Sequence, residues 1–239
     1  MSQGIRTHFF SSARQLGDRL CQEIEAGCAA EAGLVALAVG QTTLPHYAGL
    51  NPDAAALAGK TFLPVDELVP APENSLVSFS AQLRRALPAR LSHRVSEIDV
   101  RDPTRTSKEL EAWIEASGLA VCVLGLGPDG HIAFNQPGSG PGTQTRLVEI
   151  LPANLSRLVG VAPATHALTL GVASLLLAAR VLLVVDGAGK RKALERVLQG
   201  PETSDVPASF LRRHRDCRVL VVGDDEHGAP GQNVQRPQV

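Results

Sequence analysis

The chain has 239 residues, 44% hydrophobic, 20% charged and 3% aromatic, a balance that suits a folded chain with a buried core and excludes wholesale disorder. Its 23 Lys and Arg oppose 24 Asp and Glu for a net charge of -1, so no whole-chain basic field exists to hold a nucleic acid or an anionic membrane surface. The longest apolar runs are strand-sized, well short of the roughly 20 residues that cross a bilayer as a helix, so a membrane protein is not expected.

The first ten residues lack a basic start, a long apolar run and a small-residue cleavage pattern, which predicts no secretory leader and a cytoplasmic protein. Ser12 to Ala30 has helical spacing, and Leu34 to Val39 reads as a buried strand. Thr61 to Leu68 reads as another short strand whose pairing ends at Pro64, because proline gives a sheet no N–H. Ser75 to Leu87 and Ser107 to Ala116 are expected helices, and Leu119 to Leu124 is the most apolar strand. Thr165 to Ala179 is an expected helix, Val181 to Val185 a strand, Lys190 to Leu198 a helix and Cys217 to Val222 a last strand. Strands alternating with helices imply parallel pairing. The expected fold is a three-layer α/β/α sandwich around a mostly parallel, doubly wound, Rossmann-like sheet.

No internal repeat or linker divides the chain, so residues 1–225 are expected to form one domain. Residues 226–239 hold Gly, Pro, Gln and Asn with almost no apolar content and are expected to be a frayed tail. Cys21, Cys28, Cys122 and Cys217 form no C-x-x-C pair, which argues against a zinc site or a disulfide framework. Cys122 and Cys217 lie in strand-like runs and read as small buried hydrophobes. The single Trp113 and single Tyr47 offer no platform for stacking nucleic acid bases.

In a doubly wound sheet the ligand lies beyond the carboxyl ends of the strands, so the informative residues follow each apolar run. Gly40-Gln41-Thr42-Thr43 is either a phosphate-binding turn or plain connection. Asp66 and Glu67 are either a strand-end base or a solvated turn. Gly127-Pro128-Asp129-Gly130-His131 reads as an acid/base pair, with Asp129 orienting His131, or as a turn with a capping histidine. The glycines around this pair favour close backbone approach to a ligand. Lys190 would stand at a helix start, where its charge opposes the helix dipole unless an anion such as phosphate accompanies it; the alternative is an ammonium in water.

Taken in order, these segments resemble the glucosamine-6-phosphate deaminase (isomerase) family, which shares its fold with the 6-phosphogluconolactonases. The resemblance rests on Gly127 to Pro137, Val65-Asp66-Glu67, Ala167 to Val172, Gly187-x-x-Lys190, and Pro207 to Leu211 with His214, and spans residues 34 to 222. It implies that Gly40, Gln41, Thr42, Thr43 and Lys190 hold a sugar 6-phosphate, with Arg157 as a second cation and Gly127 beside the substrate. Asp66 would move a proton between C2 and C1 of the open-chain amino sugar, and His131, held by Asp129, would assist ring opening. The reaction so implied needs no metal or organic cofactor, and leaves assembly into a homo-oligomer open.

Two departures from the family pattern bear on activity. Gln136 stands where the deaminases carry Glu, and an amide cannot hold a negative charge, so Gln136→Glu is expected to increase deamination. Gln41 replaces the second of two paired glycines in the phosphate turn. Alternatives from the same residues are 6-phosphogluconolactone hydrolysis, and a sugar-phosphate-binding protein whose catalysis has weakened.

Overall fold

A computed structural model describes residues 5–31, 33–70, 77–155 and 164–223. The chain runs β1 (Ile5–Phe10), α1 (Ala13–Ala30), β2 (Leu34–Leu37), β3 (Phe62–Pro64), β4 (Asp66–Val69), α2 (Phe79–Ala86), α3 (Ala89–Ser92) and α4 (Pro103–Ser117). It continues through β5 (Leu119–Gly125), β6 (Arg146–Glu149), α5 (Pro152–Leu155), β7 (His166–Thr169), α6 (Val172–Leu176), β8 (Arg180–Val185), α7 (Arg191–Gln199) and β9 (Cys217–Val222). Short 3-10 helices cover Leu44–Gly49 and Ala188–Lys190.

Six strands form one sheet in the order β1-β9-β8-β5-β2-β3, with every neighbouring pair parallel. A sheet covered by helices on both faces needs strands that are apolar throughout, which is why these runs are continuous and not alternating. Cys122, Leu183 and Val219 enter the core beneath α4 and α7, while Val121, Leu182 and Leu220 enter the core beneath α1 and α2. Each fully buried Leu or Val contributes roughly 1.5–3 kcal/mol. The four cysteines are buried free thiols, as Cys122 and Cys217 were expected to be. Among the described residues no helix is long and apolar enough to cross a membrane.

Sequence patterning anticipated the three-layer parallel sandwich but not a second sheet. Strands β4-β7-β6 form a small antiparallel sheet of their own. The expected single strand over Thr61 to Leu68 is two strands in two sheets, divided after Pro64. The expected helix over Thr165 to Ala179 is strand β7 followed by the five-residue α6. Gly171 separates them: a Cβ there would lie 2.1 Å from the Thr143 carbonyl oxygen, so the backbones meet too closely for a continuous helix with side chains. Helix α4 starts earlier than expected because the Asp102 side chain caps it by accepting from the Arg105 N–H, with Pro103 in the first turn. Residues 226–239 lie outside the described residues.

The chain leaves β2 for β3 on one side and returns through β5 on the other. This reversal makes a crevice at the carboxyl ends of β2 and β5, where ligands of open α/β sheets bind.

Candidate active site

Beyond β2 the turn at Gly40 to Thr43 is closed by hydrogen bonds from the Thr43 and Leu44 N–H groups to the Gly40 carbonyl, at 3.1 and 3.0 Å. The Thr43 hydroxyl donates inward to the Ala38 carbonyl at 2.7 Å, joined there by the Tyr47 hydroxyl at 2.9 Å. Thr43 thus anchors the turn from inside. Gln41 is exposed, and the space beside the Gly40 α-carbon is open. From the end of β8, Lys190 reaches across and its Nζ donates to the Thr42 Oγ1 at 2.6 Å. Two of the expected phosphate contacts, on turns 148 positions apart in sequence, are therefore joined directly.

Asp66 begins β4 where the chain changes sheets. The intervening Val65 ties the two sheets together: its N–H donates to Leu37 of β2 at 3.2 Å, and its carbonyl accepts from the Leu170 N–H at 2.9 Å. Asp66 is 5% exposed and, among the described residues, no side chain donates to its carboxylate. Burial, followed by the charge of Glu67, pushes the Asp66 carboxyl well above its ordinary range. Neighbouring strand side chains point to opposite faces, so Glu67 turns away. Its carboxylate accepts from the Phe79 and Ser80 N–H groups at 2.7 and 2.9 Å and from the Ser80 hydroxyl at 2.8 Å, which caps the start of α2. Of the two acidic residues, Glu67 is bound up structurally and Asp66 is not.

Beyond β5 the loop folds back so that the Gly127 N–H donates to the His131 carbonyl at 2.9 Å. His131 Nδ1 lies 2.6 Å from Asp129 Oδ1, and the His131 N–H donates to the same oxygen at 3.2 Å. A carboxylate can only accept, so Nδ1 carries the proton and Nε2 is left as the basic nitrogen. Burial alone would raise the Asp129 carboxyl, but its hydrogen bond with His131 and the attraction of that ring when doubly protonated outweigh this and hold it at about 2. The ring lies against Gly127, where an added Cβ would come within 2.2 Å of Cε1. Gly127 therefore makes room for the histidine. Two residues beyond His131, Ala133 has φ of 51°, a left-handed conformation unusual for a residue with a Cβ.

Thr169 joins this loop to Asp66. It is the cross-strand partner of Asp66, and its hydroxyl accepts from the Phe134 N–H at 3.2 Å. Asn135 Nδ2 donates to the Ile132 and Leu170 carbonyls at 3.1 and 2.8 Å, while its Oδ1 accepts from Arg146 at 3.0 Å. Gln136, 7% exposed, faces the junction of β6 and α5. Its Nε2 donates to the Glu149 carbonyl at 2.7 Å, and its Oε1 accepts from the Leu151 N–H at 2.7 Å and from Asn154 Nδ2 at 3.1 Å. Every polar atom of that amide is engaged with neighbouring chain.

The structure thus groups Thr42 with Lys190, Asp129 with His131, and Asp66 with the His131 loop through Thr169. Arg157 lies outside the described residues. Sequence reasoning gave Thr169 no role beyond its place in the resemblance and did not single out Arg146, because the small sheet that positions them was not foreseen.

A family model described as glucosamine-6-phosphate isomerases/6-phosphogluconolactonase matches residues 10–227. A curated glucosamine-6-phosphate deaminase of Exiguobacterium sibiricum is 29% identical over 200 residues, covering 80% of this chain and 79% of the relative. One of Rhodopirellula baltica is 37% identical over 112 residues, covering 44% and 45%. The solved structure of a monomeric glucosamine-6-phosphate deaminase has a TM-score of 0.78 at 21% identity, covering 91% of this chain and 97% of that one. A 6-phosphogluconolactonase from Thermotoga maritima has a TM-score of 0.72 at 22% identity, covering 92% and 100%. At these identities the solved structures speak for the fold alone.

Proposed function

The chain belongs to the glucosamine-6-phosphate isomerase/6-phosphogluconolactonase family, and we propose that it converts glucosamine 6-phosphate, or a close amino-sugar 6-phosphate, to a ketose 6-phosphate and ammonia. The observation that carries this reading is the buried Asp66 carboxyl, raised in pKa and without a side-chain donor among the described residues, one hydrogen-bonded step from the His131 loop. A lactone hydrolysis requires no base for a C–H proton. The relatives named as deaminases support the same choice.

In this mechanism the Gly40 to Thr43 turn, Thr42 and Lys190 receive the 6-phosphate, and Arg157 adds a second cation. The basic Nε2 of His131, with Asp129 stabilising the imidazolium, takes the proton from the anomeric hydroxyl and passes one to the ring oxygen, which opens the sugar to its C1 aldehyde. Asp66 removes the C2 proton, and the electron pair of that C–H bond moves into a C1–C2 double bond as the carbonyl oxygen is protonated, giving an enolamine. Protonation at C1 leaves an imine at C2, to which water adds and from which ammonia departs. Burial makes Asp66 a stronger base than an exposed aspartate once it is ionised. No metal or organic cofactor takes part, since the amino group beside the carbonyl provides the enolamine route. The whole conversion consumes one water and releases one ammonia.

A second reading within the family is 6-phosphogluconolactone hydrolysis, favoured by the neutral Gln136, whose amide is engaged by the β6–α5 junction. In that case His131 serves as the base toward water, and Asp66 has no chemical step. The deciding assay is ammonia release from glucosamine 6-phosphate, measured beside lactone hydrolysis corrected for its spontaneous rate. Ammonia release supports the deaminase reading, and lactone hydrolysis alone replaces it with the second.

A further inference from the structure

The six parallel strands all begin at the end of the sheet opposite the candidate active site, and charge gathers there. Glu23 of α1, 3% exposed, pairs with Arg19, with Arg180 at the start of β8 at 3.0 Å, and with Arg218 of β9. Asp216, just before β9, pairs with Arg180 at 2.8 Å, Arg218 at 3.1 Å and Arg6 of β1. At the rim Arg215 stands 4.0 Å from Glu31. Five guanidiniums thus share three carboxylates.

Between them lies a depression of about 370 Å³ open to solvent, walled by Arg6, Arg180, Arg215, Glu31 and Asp216. That volume falls in the lower range of small-molecule sites, ~300–1,000 Å³. Small residues of the last turn of α1, Gly27 and Ala30, keep its floor low. Gly27 also lets α1 pack closely on the sheet, since a Cβ would come within 2.5 Å of Val121 Cγ2. One charged donor is left unmatched: the buried Arg6 Nε has no acceptor among the described residues. Asp216 is already divided among three arginines, so it cannot fully neutralise Arg6, and Arg215 has only a long contact to Glu31.

We propose that this depression is a second anion site, separate from the candidate active site, which takes inorganic phosphate or a small phosphate monoester. The excess of guanidinium over carboxylate sets the sign of the ligand. Phosphate presents several acceptor oxygens and no obligatory apolar surface, which matches planar guanidinium forks better than a point cation would. The room beyond one phosphate group admits a small organic body.

The test is a calorimetric titration of the full chain with inorganic phosphate, against a chloride control at equal ionic strength, for the unsubstituted protein, Arg215→Glu and Lys190→Ala. Arg215 has a 74% exposed side chain, so its replacement leaves the core intact. The proposal expects a phosphate-binding event that survives Lys190→Ala and is weakened at least about tenfold by Arg215→Glu. It is overturned if no binding exceeds the chloride control, if all binding disappears with Lys190→Ala, or if Arg215→Glu leaves the event that survives Lys190→Ala unchanged. Loss of a separate Lys190-dependent event would bear only on the proposed function, so the two failures are distinct.

Discussion

The replacement Gln136→Glu is nearly isosteric and restores the carboxylate that the deaminase pattern carries, yet the local geometry assigns it a cost. The wild-type amide donates to the Glu149 carbonyl at 2.7 Å, and a carboxylate has no proton to give. Two oxygens with partial or full negative charge would then face each other in a site only 7% exposed, and the Glu149 carbonyl would lose its partner. Leaving a buried acceptor unsatisfied costs about 1–3 kcal/mol, and for a chain of this length that lowers Tm by about 2–12 °C. The cost depends on pH. Protonated, the introduced carboxyl can donate to Glu149 as the amide does; its folded pKa is therefore raised above the unfolded value of about 4.3. A raised pKa means stability present below the unfolded value and lost as pH rises through the folded value. The variant should melt close to wild type at pH 4.5 and well below it at pH 8, while kcat for glucosamine 6-phosphate rises, as the family pattern at this position implies. Thermal melts across that range check the first part, and ammonia release checks the second. An equal Tm deficit at both pH values, or none at pH 8, would refute the hydrogen-bond reasoning.

Asp66→Asn should reduce C2 proton exchange in heavy water, followed by NMR, by about 10²–10⁴ while leaving phosphate binding intact. Because the Asp66 carboxyl is raised in the fold, wild type loses stability as pH rises from about 3.9 through the folded pKa, so the variant should gain Tm relative to wild type between pH 4 and pH 8. Gly127→Ala sets a methyl 2.2 Å from a His131 ring atom, and displacing that ring should lower kcat/KM about 10²-fold; normal turnover would mean that His131 is not the ring-opening group. Glu23→Gln strips the buried charge shared by Arg19, Arg180 and Arg218 and should cost about 3–5 kcal/mol in urea denaturation; a loss under about 1 kcal/mol would show that solvent screens that network.

The large sheet was legible because strands buried on both faces must be apolar at every position, and Leu119 to Leu124 or Val181 to Val185 admit no other reading once turns bound them. The ends of those strands then located Lys190, Asp129 and His131. The small sheet was not legible, since its strands are four residues long and the Arg-Leu-Val-Glu order of β6 carries no polar/apolar alternation, with Leu147 44% exposed. His166 to Thr169 carries as many helix-compatible as strand-compatible residues, and its state is decided by contacts with β4 and β6, far away in sequence. For the same reason no local pattern separates Asp66 from Glu67. Both are acidic, adjacent and buried; what distinguishes them is that the start of α2 lies on one side of β4 only.

That asymmetry explains why a second sheet is useful to the site. A loop after β3 could carry an aspartate into the crevice, but a loop carboxylate would be hydrated and would keep an ordinary pKa. Here Pro64 ends the pairing of β3, Val65 is fastened to β2 through its N–H and to Leu170 through its carbonyl, and β4 begins at once. Asp66 is therefore fixed by backbone bonds on both sides, and Thr169, its cross-strand partner, holds the backbone of the loop that carries His131. The parallel sheet supplies the position, and the antiparallel sheet supplies the burial and the alignment. The role proposed for Asp66, accepting a proton from carbon, needs both, because a carboxylate that is hydrated or misplaced by about 1 Å loses most of its effect.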